Sequence, residues 1–196
     1  PHPAPCSRVL DERLEAPRPP HPKPLRLVSP PTPTVAANPA DEFTAIGHWA
    51  VAHGIWVIAD EIYEHLPYDD NVHHSMRALV PEVADQFVAV NGVAKTYAMT
   101  GWRIGWMIGP DDLIRAAGNL QSHGTSNVAN VSQRAALAAV SGDLTAVAEM
   151  RESFDRRRRR MTEMLRAIDG VDLLTPQGAF YAFPDLSAFL GRKVGG

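Results

Sequence analysis

Cysteine is nearly absent from this chain. A single Cys6 in 196 residues excludes an intrachain disulfide framework and fits a reducing compartment, read here as the cytoplasm. Long hydrophobic runs are missing as well. No stretch approaches the roughly 20 uninterrupted apolar residues of a membrane helix, so no membrane association is expected. An excess of basic charge is also lacking: 19 Lys and Arg stand against 22 Asp and Glu, for a net charge of −3. That balance supplies no overall attraction to phosphate backbones, and nucleic acid is not an expected partner. No internal repeat is visible at the periods of about 20–50 residues that build solenoids. The composition, 45% hydrophobic and 21% charged, is that of a globular protein. At about 150 residues per domain, the length allows one large domain, or one domain and part of another.

Proline is what the chain has in excess. Of 17 prolines, 12 precede residue 40, with Pro17, Pro19, Pro20, Pro22 and Pro24 crowded together. Residues 1–24 lack apolar periodicity and read as a disordered, proline-rich segment. No apolar run follows their basic residues, so they do not read as a signal peptide. The first residue is Pro1 rather than Met, so the sequence need not begin where a gene product begins.

From Leu25 short apolar strands alternate with longer helical stretches, the pattern of an α/β domain with a mostly parallel sheet flanked by helices. Strands are expected at Leu25 to Val28, Ile55 to Ala59, Phe87 to Val90 and Arg103 to Ile108. The run Ile55 to Ala59 is apolar throughout, as in a strand buried on both faces. Helices are expected at Asp41 to His53, Asp111 to Ser122, Asn127 to Val140 and about Gly142 to Ile168, the last stopped by Asp169-Gly170. Val171 to Leu174 and Ala179 to Phe183 read as strands of a second small α/β unit. The expected division is residues 25–141 for the sheet domain and 142–196 for a connecting helix with the start of the small unit.

Ligands of open α/β sheets bind outside the carboxyl ends of the strands. Those ends carry Asp60, and Asn91-Gly92 with Lys95 close behind. Between Asp85 and Asp111 the only charged residues are Lys95 and Arg103, set among Val, Ala, Met, Trp and Gly. Desolvation in such surroundings favours the neutral, nucleophilic amine of Lys95, and the small Gly92, Val93 and Ala94 leave space around it. The other reading is a loop lysine with its head in water, and local sequence leaves both open. Three motif readings fail. Ala94-Lys95-Thr96 lacks the glycine that precedes a P-loop lysine. Gly101, Gly105 and Gly109 are spaced like a membrane dimer face, but the run is short and contains Arg103. No Gly-x-Gly-x-x-Gly follows a strand, so a dinucleotide fingerprint is missing.

The segment from Asn91 through Lys95 and Arg103 to Trp106, together with Asp60-Glu-Ile-Tyr63, resembles the aspartate-aminotransferase-like family of pyridoxal-phosphate enzymes of fold type I. The resemblance continues through Asn119 to His123, Ser126 to Gln133 and Gly178-Ala-Phe-Tyr181, and is read from about residue 25 onward. It implies the incomplete large domain of that fold plus the start of its small domain. It implies pyridoxal 5'-phosphate as cofactor and amino transfer between an amino acid and a 2-oxo acid. Lys95 would form the Schiff base and carry the proton, while Asp60 would pair with the pyridine nitrogen. Tyr63 would donate its hydroxyl to the phenolate oxygen, and Arg103 would grip the phosphate with its fork. A homodimer is also implied, with Ser126-Asn127 toward the neighbouring subunit. A lyase or decarboxylase on the same fold would share Lys95, Asp60 and Arg103. A non-catalytic cofactor-binding module or a decayed gene product is the rival from a different class.

Several positions depart from the family pattern. Thr32 stands where the family has an asparagine and Val35 where it has a glycine; threonine is a shorter donor and valine disfavours a positive-φ turn. Gly92 replaces a serine, a milder change because backbone N–H groups also bind phosphate. The family's arginine for the substrate carboxylate has no counterpart here, and the chain is expected to be a partial one. Two further clusters are read as structural. Arg156 to Arg160 is expected to lie on a solvated helix with ion pairs to Glu149, Glu152 and Asp155. His73-His74 near Asp69 and Asp70 matches no zinc spacing and is expected to be a polar surface loop, so no metal site is assigned.

Overall fold

The computed structural model describes residues 24–30 and 39–191. The expectations for residues 1–23, including Cys6, and for Thr32 and Val35 lie outside the described residues. Within them a four-stranded sheet is ordered β1 (Leu25–Val28), β2 (Val57–Asp60), β3 (Phe87–Gly92) and β4 (Gly105–Ile108). The first three strands are parallel, with Val28 beside Asp60 and Asp60 beside Val90, so they end together at one carboxyl edge. β4 is antiparallel to β3, with Gly92 opposite Gly105. The connection 93–104 therefore leaves that edge and returns to it.

One face of the sheet is covered by α1 (Ala40–His53), the short α2 (Met76–Leu79) and the 3₁₀ turn Pro81–Gln86. Phe43, Ile46 and Ala50 recur at helical spacing on α1 and are buried against Val57, Met76, Val80 and Val83. Each fully buried Ile, Val or Met here contributes about 1.5–3 kcal/mol. Asp41 and Glu42 sit favourably in the first turn of α1, and Gly54 ends it in the left-handed region at φ 60°. Burial on both faces of β2, expected from its apolar run, is not observed. Val57 and Ala59 are buried, but Ile58 and Asp60 are only half-buried. Among the described residues the helical layer lies on the other face.

The remaining helices are α3 (Asp111–Gly124), α4 (Asn130–Ser141) and α5 (Thr145–Arg166). α3 buries no residue, and α4 buries only Ser132 and Ala136. The small unit is thinner than its pattern suggests: β5 (Asp172–Leu173) and β6 (Pro184–Asp185) form a two-residue antiparallel pair. The expected strand at Ala179 to Phe183 is corrected, because Ala179 takes φ 55° and turns the chain there. Instead, Gly178 pairs across to Pro67, and Ala179 N–H donates to the Leu66 carbonyl at 2.9 Å.

That docking needs a glycine. A Cβ on Gly178 would overlap the Pro30 ring and lie 3.2 Å from the Leu66 carbonyl oxygen. Gly178→Ala is expected to lower stability by about 1–3 kcal/mol, the range for overpacking. A urea midpoint equal to wild type would show that the Pro30 contact yields freely.

Candidate functional site

The carboxyl edge gathers the four residues singled out by sequence. Asp60 is the last residue of β2; its carboxylate accepts from Ile62 N–H at 3.3 Å and lies 3.6 Å from the Arg26 guanidinium. Arg26 is 71% exposed on its side chain, so this pair is solvent-screened and Asp60 remains able to change partners. Tyr63, three residues on, is buried at 3% exposure. Lys95 and Arg103 both lie in the connection 93–104, Lys95 half-buried and Arg103 exposed at a positive φ of 52°. Arg103 Nη1 donates to the Thr100 carbonyl at 2.8 Å, and no carboxylate pairs with it among the described residues.

An aromatic cluster joins two of these groups. Phe180 meets Tyr63 edge-on, with ring centroids 5.4 Å apart, and stacks on Phe154 of α5 at 5.2 Å. Lys95 Nζ lies 5.3 Å from the centroid of the Phe180 ring, and the hydroxyls of Tyr63 and Tyr181 are 2.8 Å apart. The expectation of open space around the amine, drawn from Gly92, Val93 and Ala94, thus holds for its sequence neighbours only. Phe180 and Tyr181 reach the site from far along the chain, as part of a stretch the apolar pattern assigned to a strand. Their motif Gly178-Ala-Phe-Tyr181 was the available signal.

Arg158 anchors the delivering segment. It is 5% exposed and forms a fork on Asp69 with two 2.9 Å hydrogen bonds, while Nη1 also donates to the Pro176 carbonyl at 2.7 Å. Nε donates to Asp155 at 2.7 Å, and the guanidinium lies over the Tyr68 ring at 4.8 Å. Burial pushes the Tyr68 hydroxyl up to about 12, despite the opposing pull of Arg158. For Asp155, burial works upward but the hydrogen bonds from Arg159 and Arg158 outweigh it and hold the carboxyl below its ordinary range. The arginine run is therefore not a wholly solvated face. Its ion pairs go to Asp155, Asp69 and Glu163, and those expected to Glu149 and Glu152 do not form.

His73 departs from its expectation too. It is 14% exposed on its side chain, with Nε2 3.9 Å from a Glu61 carboxylate oxygen, and is not part of an open surface loop. Glu61, Glu64 and His73 bring one ligand-type atom each within 4.8 Å of one another, but Glu64 already accepts from Asn91 Nδ2 at 2.7 Å. Burial raises the Glu61 carboxyl and lowers the His73 imidazole. A histidine held neutral in the fold binds its proton more readily when unfolded, so its contribution is lost as pH falls below about 6.5. The opposite slope of Glu61, whose raised carboxyl loses stability as pH rises, starts lower, from 4.5. On acidification from about pH 7 to about pH 5.5 the wild-type urea midpoint is expected to fall relative to that of His73→Leu, in which the slope of Glu61 remains and that of His73 is gone. Equal falls would assign the effect to another group.

No helix among the described residues is long and apolar enough to cross a membrane. The family model described as aminotransferase class I and II matches residues 9–190, so the likeness starts well before residue 25 and takes in most of the proline-rich segment. An aspartate aminotransferase of Streptomyces avermitilis is 59% identical over 189 residues, covering 96% of this chain and 46% of that protein. One from Geobacillus stearothermophilus is 42% identical over 178 residues, covering 91% of this chain and 45% of that protein. The crystal structure of the aspartate aminotransferase from Rhizobium meliloti superposes with a TM-score of 0.89 at 39% identity, covering 94% of this chain and 46% of that one. The chain spans about half the length of these relatives.

Proposed function

We propose, from the premise that this chain belongs to the class I and II aminotransferase family, that it carries the cofactor-binding part of a pyridoxal-phosphate-dependent aminotransferase. One observation carries the reading: an amine, a carboxylate, a phenol and a guanidinium, on Lys95, Asp60, Tyr63 and Arg103, all belong to the carboxyl edge of one sheet. The donor set fits pyridoxal phosphate. Arg103 faces no competing carboxylate among the described residues, and the ion pair of Asp60 with Arg26 is solvent-screened.

Bound there, the cofactor supplies an aldehyde and an electron-accepting ring. Lys95 serves as the nucleophile and as the base that moves a proton at the substrate Cα. Asp60 keeps a proton on the ring nitrogen, as a carboxylate stabilises an adjacent cation. Tyr63 would turn its hydroxyl from the Tyr181 hydroxyl, 2.8 Å away, to the phenolate oxygen. Arg103 holds the phosphate with paired N–H donors, a geometry that lysine does not reproduce.

The substrates are an amino acid and a 2-oxo acid, with aspartate the first donor to assay because relatives of this chain carry that name. The single cysteine supports a cytoplasmic setting, and the family resemblance supports action as a homodimer. Mixing the protein with pyridoxal phosphate, reducing with borohydride and mapping the modified lysine tests the reading. The adduct is expected on Lys95. An adduct confined to Lys23 or Lys193, the chain's other two lysines, would refute it.

A further inference from the structure

We propose that Phe180 belongs to the reaction site itself, as an aromatic wall that covers one side of the Lys95 amine and leaves it approachable from the other. The inference rests on the reading of Lys95 as the reactive amine, and it adds a residue from the C-terminal segment to the four at the sheet edge.

The ring is held from several directions. Phe154 stacks against it at an interplanar angle of 25°, and Tyr63 meets it at 83°. The backbone before it is pinned by the pairing of Gly178 with Pro67, by Tyr68 N–H donating to the Gln177 carbonyl and by Ala179 N–H donating to the Leu66 carbonyl. The Tyr68 hydroxyl also donates to the Ala179 carbonyl. Behind that, Arg158 holds Pro176 through its carbonyl. A ring so fixed cannot swing aside cheaply, and Lys95 Nζ lies 5.3 Å from its centroid, inside the range of a cation–aromatic attraction.

Two consequences follow for the amine. The contact with the ring face holds the Lys95 side chain in place before a reactant arrives. The ring's bulk excludes water and reagents from that side. A planar aldehyde therefore meets the amine from the side away from Phe180, so the wall sets the direction of attack.

The chain's three lysines make this measurable without any cofactor. The full chain is treated with limiting acetic anhydride at constant pH, and acetylation of Lys95 is expressed relative to Lys23 and Lys193 by mass spectrometry. Phe180→Ala is expected to raise the relative acetylation of Lys95 roughly two- to fivefold, the equivalent of one cation–aromatic contact, and more if steric cover adds to it. Phe180→Tyr, which keeps the ring, is expected to match wild type. An unchanged value in Phe180→Ala, or an equal rise in Phe180→Tyr, overturns the proposal. Should Phe180→Ala lose its near-ultraviolet circular dichroism, Phe180→Leu replaces it: a selective rise at Lys95 supports the wall and no change overturns it. Borohydride trapping of pyridoxal phosphate is run on the same samples. Trapping away from Lys95 with the acetylation pattern intact would remove the functional reading and leave the wall standing.

Discussion

Lys95→Ala is expected to abolish the visible absorbance that pyridoxal phosphate develops with the protein and to lower amino transfer by a factor of at least about 10²–10⁴, the usual contribution of a positioned proton-transfer group. In the proposed function the same nitrogen is also the covalent nucleophile, so the loss should exceed that of a base alone. Unfolding would not account for it. Lys95 is half-buried and its amine lies over the Phe180 ring, so the truncation removes a contact of about 0.5–1 kcal/mol. Urea unfolding of the variant should therefore lie close to wild type while the absorbance is gone. Lys95→Arg is the complementary variant: it keeps a cation near the ring and lacks a nucleophilic amine at neutral pH, so it should be equally silent. Retention of the band in Lys95→Ala would place the chemistry on another amine.

Arg158→Met should be the most damaging structural substitution among the arginines. It removes the fork on Asp69, the bond to Asp155 and the donor to the Pro176 carbonyl from a position 5% exposed. Loss of one partner from a fully buried ion pair costs about 3–5 kcal/mol. Asp69 is 47% exposed and Asp155 23% exposed, so both regain water and the expected loss is smaller, about 2–3 kcal/mol. Arg158→Lys should recover little, because one ammonium cannot face both oxygens of Asp69, Asp155 and the Pro176 carbonyl together. The pH dependence gives a second reading. The depressed Asp155 carboxyl contributes stability above its unfolded value of 3.8 that is lost as pH falls through the lower folded value. This acid-range slope should flatten in Arg158→Met. A urea midpoint within error of wild type would show that the arginine is ornamental to folding.

The sheet and its ends were legible from sequence because their signals are local. Short apolar runs followed by Asp60 or Asn91-Gly92 mark where parallel strands stop, and chemistry-bearing residues cluster there for topological reasons. Helical spacing likewise located α1, and Asp169-Gly170 marked where the long α5 gives out. Spacing identifies which side chains share a face but not whether another surface meets that face, so it could not show that α3 buries nothing. Residues joined across the chain were the ones missed. Tyr181 meets Tyr63 across 118 positions and Arg158 meets Asp69 across 89, and neither pairing leaves a mark in a local window. Within Arg156 to Arg160, only the packing of α5 distinguishes the inward Arg158 from its exposed neighbours.

The return of the chain from β3 to β4 bears on how this protein can vary. Lys95 and Arg103 ride on one loop whose two ends are bolted together: a Cβ on Gly92 would lie 2.9 Å from the Ile104 carbonyl oxygen, and one on Gly105 2.8 Å from that of Asn91. The span between Lys95 and Arg103 is thus a property of loop length, sealed at its neck by two glycines. A residue inserted between 96 and 102 would move one group against the other with no strand able to slide and compensate. Insertions in the stretch 69–75, which carries neither group, would leave that span untouched. Length differences among functional descendants of this chain should accordingly collect outside residues 92–105.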